Sequence, residues 1–172
     1  MPYITTFRTG QPSVIPAIRV IRNNYFLGTY STQSNVDTDD GSAYYNVTDN
    51  VFAFGSGAVK SDFGGQYTRW DYNVLPYVSD CLGNLGTWGR EDGTGNHDSL
   101  VGNKCVVNSE SGGFGDGDCE EKLPADAEVS GNKIMTSSGD LDLELCDDTN
   151  TVSAWPEDKT LISWAKAKLS LE

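Results

Sequence analysis

A single histidine, His97, stands in the 172 residues, which leaves little for mechanisms that need imidazole. His97 lies in a polar, glycine-rich loop, so neither a Ser-His-Asp triad nor a histidine-based zinc site is supported, and an exposed loop position is the expectation. Basic side chains are scarce too, with 12 Lys and Arg against 25 Asp and Glu and a formal charge of −13. Such a chain does little to offset phosphate repulsion, so it is a poor candidate for binding nucleic acid and none is expected as a partner. The same repulsion argues against a polyanionic sugar unless a cation bridges the charges. No run of about 18 apolar residues occurs, so no membrane span is expected. The four cysteines, Cys81, Cys105, Cys119 and Cys146, contain no CxxC pair, which argues against a zinc knuckle.

What is present points to an ordered domain. Four Trp, eight Tyr and six Phe exclude an acidic disordered tail, and the length suits one domain with a buried core. An even cysteine count in a chain with 19 glycines favours disulfides and an extracellular or secretory location, the alternative being small buried hydrophobes. Asn46-Val47-Thr48 is a glycosylation sequon, of use only on that route. No signal-peptide pattern precedes the strand-like run after Met1-Pro2, so a secreted chain would begin upstream.

A repeat organises the chain: apolar-x-x-Asn-x-apolar. It reads Ile21 to Phe26 around Asn24, Val47 to Phe52 around Asn50, and Trp70 to Leu75 around Asn73. It continues from Leu100 to Cys105 around Asn103 and from Val129 to Ile134 around Asn132. The asparagines are 26, 23, 30 and 29 residues apart. Asparagine tolerates the left-handed conformation at a tight bend and bonds local backbone. Stacked at one bend of successive coils, its side chains form a ladder that supports parallel strands, and the flanking apolar residues enter a shared core. An antiparallel sandwich with strands every 8–12 residues explains the turn density but not the longer period.

Around the repeats, Tyr3 to Phe7 is strand-like, and Pro12 and Pro16 argue against a central strand after it. Residues 85–99 and 110–121 are glycine-rich polar insertions that lengthen two intervals. After Asn150 the character changes. Pro156 in a first turn with Glu157 and Asp158, then Leu161, Ile162, Trp164, Ala165 and Leu169 at helical spacing, predicts an amphipathic helix over 156–169. Its expected task is to cover the C-terminal end of the stack, where strand edges would otherwise stand unpaired; partner binding is the alternative.

The runs TTFRTGQPSVIP (5–16), VDTDDGSAYY (36–45) and GSGAVKSDFGG (55–65) resemble the right-handed parallel β-helix proteins of the pectate-lyase-like superfamily, in particular secreted members with an Asp-Asp-Gly-Ser signature. The segment TVSAWPEDKTLISWAKAKL is similar to their closing helix. The resemblance covers nearly the whole chain and matches the C-terminal portion of a longer member. It implies an all-β solenoid of about five coils, against eight or more in catalytic relatives, in one domain over residues 1–172. Coils and inserted loops would fill 1–150 and the capping helix segment 151–172. It also implies a monomer acting on polysaccharide, by glycoside hydrolysis or lyase chemistry. After Phe63-Gly64-Gly65, relatives are expected to carry His-Asp-Asn or similar where this chain has Gln66-Tyr67-Thr68.

The candidate chemistry sits between Asn35 and Gly65. Counted from the ladder, Asp37 follows Asn24 by 13 residues and Asp62 follows Asn50 by 12, which sets them near each other on adjacent coils. Carboxylates about 5–5.5 Å apart suit a retaining glycosidase and about 6.5–9.5 Å an inverting one. The acid and the base or nucleophile are therefore sought among Asp37, Asp39, Asp40 and Asp62. Lys60 is expected to tune them or bind sugar hydroxyls. Tyr44, Tyr45, Tyr67 and Trp70 are candidate sugar-stacking surfaces, with Arg69 a further substrate contact. Two alternatives stay open: calcium on Asp37, Asp39 and Asp40, with a second acidic loop at Asp116, Asp118, Glu120 and Glu121, or plain turn architecture. A lyase would need Lys60, Arg69 or Arg90 as base and calcium to neutralise a uronate. A non-catalytic carbohydrate-binding or structural solenoid is the remaining class.

Overall fold

The computed structural model describes residues 17–29, 34–38, 41–56, 59–61, 65–81, 97–108, 126–140 and 145–171. The strand-like run at Tyr3–Phe7, Pro12, Pro16 and most of the two insertions lie outside them. Within them the chain is mostly parallel β-sheet followed by one helix, and the parallel strands fit a β-helix. Every observed strand pairing is parallel, which removes the antiparallel sandwich.

The chain visits two sheets in alternation. The first takes β1 (Arg19–Arg22), β4 (Tyr45–Thr48), β7 (Arg69–Asp71), β9 (Ser99–Val101) and β11 (Glu128–Ser130) in that order. The second takes β2 (Tyr25–Leu27), β5 (Val51–Ala53), β8 (Val74–Val78), β10 (Lys104–Val107), β12 (Lys133–Thr136) and β13 (Thr151–Ala154). A third sheet pairs β3 (Val36–Asp37) with β6 (Val59–Lys60).

The two apolar positions of the repeat become two columns facing one core. Ile21 stands opposite Val47 and Val47 opposite Trp70, while Leu100 stands opposite Val129. Across the core, Phe26 stands opposite Phe52, Leu75 opposite Cys105, Cys105 opposite Ile134 and Ile134 opposite Val152. The Phe26 and Phe52 rings stack with centroids 4.7 Å apart, the spacing of neighbouring parallel strands. Cys105, inside this core, is disulfide-bonded to Cys81 with Cα atoms 5.5 Å apart. Cys146 is disulfide-bonded as well.

Between the two columns runs the asparagine ladder. The backbone N–H and the Nδ2 of each asparagine both donate to the Oδ1 of the next, from Asn24 through Asn50, Asn73, Asn103 and Asn132, at 2.8–3.2 Å. Each Nδ2 after the first also donates back to a carbonyl of the preceding layer, as Asn73 does to Val47 at 2.9 Å and Asn103 to Trp70 at 2.7 Å. The ladder has a sixth member, Asn150, only 18 residues after Asn132. Its upstream flank is Asp147 rather than an apolar residue, so the repeat pattern does not register it. There the ladder closes on itself: the Asn150 N–H donates to the Asp147 carbonyl at 3.0 Å and its Nδ2 to the Leu145 carbonyl at 2.7 Å.

The left-handed residue at this bend is the one before the asparagine, contrary to the expectation that the asparagine itself takes that conformation. Asn23, Asp49, Tyr72, Gly102 and Gly131 have φ between 56° and 66°. The division of labour is physical, since the bend residue turns the chain and the asparagine, outside the left-handed region, points its amide along the stack. Gly102 is doubly constrained, because a Cβ there would lie 2.7 Å from the Tyr72 ring.

Helix α1 (Asp158–Leu169) forms where the periodicity predicts, but it does not cover the C-terminal end of the stack. It lies along the outer face of the second sheet, touching β8 and β5. The reason is in the strands: Val51, Phe52 and Ala53, or Cys105, Val106 and Val107, are buried in succession, so this sheet is apolar on both faces and needs a cover. Leu161 and Trp164 pack on Val106 and Met135. The Lys104 ammonium sits 4.3 Å from the Trp164 ring centroid, and burial, then Lys168 and Lys133, hold its pKa below the usual lysine value. At the helix end, Lys168 bonds Asp49 at 2.7 Å and the Lys168 carbonyl accepts from Asn23. At its start, the Tyr77 hydroxyl donates to Asp158 at 3.3 Å, and burial followed by the Asp158 charge raises the phenol's pKa.

Two outcomes follow from this packing. Asn73→Ala strands the Asn50 donors and the Val47 carbonyl in the interior and should cost about 3 kcal/mol in chemical denaturation, whereas exposed Asn24→Ala should cost less than about 1 kcal/mol. For Tyr77, the unfolded phenol ionises near 10.0 and the folded one later. The folded chain therefore holds more protons in that window, and stability falls as pH rises through it. Urea denaturation from about pH 9 to about pH 11 should show a shallower loss in Tyr77→Phe than in the wild type; identical slopes would refute the contact.

Candidate functional site

The third sheet is where the acid-rich segments of two adjacent layers meet. Val36 stands opposite Val59 and Asp37 opposite Lys60. The Thr38 N–H and hydroxyl both donate to the Lys60 carbonyl, at 2.9 and 3.1 Å. Counting from the ladder thus brings the right segments together, with Lys60 rather than Asp62 as the residue facing Asp37. Asp39, Asp40 and Asp62 lie outside the described residues.

Lys60 is only 8% exposed, and its Nζ donates to Asp37 Oδ2 at 3.2 Å. A buried ammonium needs such a partner, because removing the charge from water is costly unless it is paired. The Asp37 side chain remains 42% exposed. The arrangement is a carboxylate held at the surface by a cation anchored beneath it. Lys60 is therefore turned onto Asp37, not onto solvent where a sugar hydroxyl would meet it. It also speaks against calcium at this place: the ammonium holds one Asp37 oxygen and repels a second cation there. Among the described residues no group of three His, Cys, Asp or Glu side chains converges as a metal site. Asp116, Asp118, Glu120 and Glu121 lie outside them.

Beneath the sheet is a buried polar cluster that residue counting missed. Asp98, 1% exposed, accepts from the Ser61 hydroxyl at 2.7 Å and from the Thr68 N–H at 2.8 Å. Ser61 and Thr68 are themselves fully buried. The signal was available, because Asp98 stands five residues before Asn103, as Thr68 stands five before Asn73. Gly65 closes the cluster: a Cβ there would lie 2.0 Å from the Thr38 carbonyl oxygen and 2.8 Å from the Ser61 hydroxyl.

The candidate sugar platforms are arranged differently from the expectation. Tyr44, Tyr67 and His97 occupy equivalent left-handed bends, with φ of 63°, 52° and 51°. Their rings stack on each other, Tyr44 on Tyr67 at 5.1 Å and Tyr67 on His97 at 4.7 Å. Tyr67 thus has both faces covered by neighbouring rings and presents only an edge. His97 is half-exposed, as expected, and its Nδ1 lies 2.6 Å from Asp126. Tyr45 lies under the Arg19 guanidinium at 5.2 Å. Trp70 is fully buried in the core column, which overturns its reading as a stacking surface. Arg69 closes on the buried Asp71 carboxylate through Nε and Nη2, at 2.9 and 2.8 Å. The other Asp71 oxygen accepts from the Ser99 hydroxyl and the Val101 N–H.

No protein-family model matches this chain, and neither the curated proteins nor the solved structures contain a significant match.

The close approach at Gly65 gives a local test. Gly65→Ala drives a methyl group into backbone and should cost about 3 kcal/mol in guanidinium denaturation. Gly41→Ala has φ +77° but nothing within 4 Å. It should cost only about 1 kcal/mol from the backbone, and equal costs would contradict the packing of the third sheet.

Proposed function

We propose that this chain is a right-handed parallel β-helix of the pectate-lyase-like kind, acting extracellularly on a neutral polysaccharide as a glycoside hydrolase. The observation that carries the reading is the pairing of Asp37 with Lys60 across the third sheet. It holds one carboxylate at a fixed surface position beside segments rich in further carboxylates. Asp39 and Asp40 follow Asp37 after Thr38, and Asp62 is two residues beyond Lys60. Adjacent layers are about 4.8 Å apart, so a second carboxylate one layer away suits retention, and one two layers away leaves room for an inverting enzyme's water. In this reading Asp37 is the nucleophile or base, and the acid comes from Asp39, Asp40 or Asp62. Lys60 positions Asp37. The extracellular setting is supported by the disulfides, and no described helix is long and apolar enough to cross a membrane.

The second reading is non-catalytic, either carbohydrate binding or a structural solenoid, and one observation favours its structural form. Tyr67, Trp70 and Arg69 are already engaged by neighbours within the fold. A lyase gains less support, since two of its three candidate bases, Lys60 and Arg69, are bound to Asp37 and Asp71.

Release of reducing ends from a panel of neutral polysaccharides tests the first reading. Asp37→Asn should lower kcat/KM at least about 100-fold when assayed where the variant is still folded, with a lower melting temperature because the buried Lys60 ammonium loses its counter-charge; Asp40→Asn or Asp62→Asn should lower kcat/KM likewise for the acid. Full activity in all three variants removes the assignment. Binding on a glycan array with no hydrolysis anywhere in the panel moves the function to the second reading.

A further inference from the structure

Helix α1 does not fill the ground it covers. Leu161 and Trp164 close one side of it over Val106 and Met135. On the other side a groove of about 530 Å³ stays open between helix and sheet, a size typical of small-molecule sites. Val51 and Ala53 line it from the second sheet, Phe54 from the bend after β5, and Ile162 and Ala165 from the helix. Phe54, whose ring stacks on Tyr77 at 5.3 Å, is still 43% exposed and Ile162 57%, so part of the apolar surface here is left in water. One charged group lines the groove, Asp158. One of its oxygens accepts from the neutral Tyr77 hydroxyl, and no basic side chain among the described residues pairs with it.

We propose that this groove binds a small cationic amphiphile, a primary amine on an aliphatic or aromatic body, with the ammonium on Asp158 and the body between Phe54 and Ala165. Charge complementarity selects this occupant. An anionic amphiphile would meet Asp158 in a chain of net charge −13, and a neutral one would fill the groove without engaging the exposed carboxylate that lines it. The raised Tyr77 pKa has the same origin, burial first and the Asp158 charge second. The site is separate from the Asp37–Lys60 flank and stands whether or not the chain cleaves polysaccharide.

The test is calorimetric titration of the full chain with octylamine, octanol and octanoate below their aggregation limits. Octylamine should bind at least about tenfold tighter than the other two, a difference of about 1.4 kcal/mol. Asp158→Asn, a conservative exposed change that leaves folding intact, should bring octylamine to the level of octanol. Ala165→Phe should weaken all three by filling the groove. An amine preference that survives Asp158→Asn would come from the overall charge and overturn the proposal. So would binding unaffected by Ala165→Phe, absence of binding by all three probes, or a concentration-dependent dimer in sedimentation that alone covers the groove.

Discussion

Stacking parallel strands in layers creates a polar problem at every bend, and the buried asparagine is what solves it here. A bend that passes between two core-facing columns carries its own N–H and C=O inward, where each unpaired group costs as much as a lost hydrogen bond. One asparagine per layer accepts two donors from the preceding asparagine and returns a donor to a carbonyl of the preceding layer. The amide does what a water would do, without the entropy of a separate molecule. The solution is cooperative. Each Oδ1 is filled only if the preceding layer is in register, so the ladder fixes the register that places Trp70 against Val47 and Asp37 against Lys60. At the C-terminal end, Asp147 and Leu145 carbonyls take the donors that a next layer would have received.

The second sheet then imposes a different demand. Its strands are apolar on both faces, so the core satisfies one face only, and the helix is laid along the other. The fixings are polar at both ends, Asp158 to Tyr77 at the start and Lys168 to Asp49 at the finish, with Trp164 under Lys104 between them. Because Asp49 is also the left-handed bend residue before Asn50, the helix is tied to the ladder's own turn. Cover and scaffold are one cooperative unit, and the groove beside the helix is what its diameter leaves uncovered on the sheet.

Much of this was legible in the chain, and the failures are instructive. The apolar-x-x-Asn-x-apolar unit identified both core columns and five of the ladder residues, because register forces the same chemistry at the same place in each layer. Asn150 escaped because the last layer closes with Asp147 where the others bury an aliphatic or aromatic residue. Trp70 was legible in two incompatible ways. It occupies the first apolar position of its repeat, which is a core position, and the aromatic reading ignored that. The helix's place was readable too, from the unbroken apolar runs at 51–53 and 105–107. The stacking of Tyr44, Tyr67 and His97 could also have been read, since each stands six residues before its ladder asparagine, but the repeat was defined only by the residues flanking that asparagine.

The distribution of the few cations gives the charge logic of the whole surface. Arg22 and Lys168 are drawn to Asp49, Lys60 to Asp37, Arg69 to Asp71, and Arg19 to Tyr45 and the Ala43 carbonyl. In each case a basic side chain supports a bend, a strand or the helix. Among the described residues these five cations are committed to the scaffold, and with 25 acids against 12 bases the charge surplus of the chain is negative. A field of that sign repels uronates and phosphates and admits neutral or cationic molecules. The same constraint therefore acts on both candidate sites. On the flank of the third sheet it favours an uncharged sugar beside Asp37, and in the helix groove it favours an ammonium on Asp158.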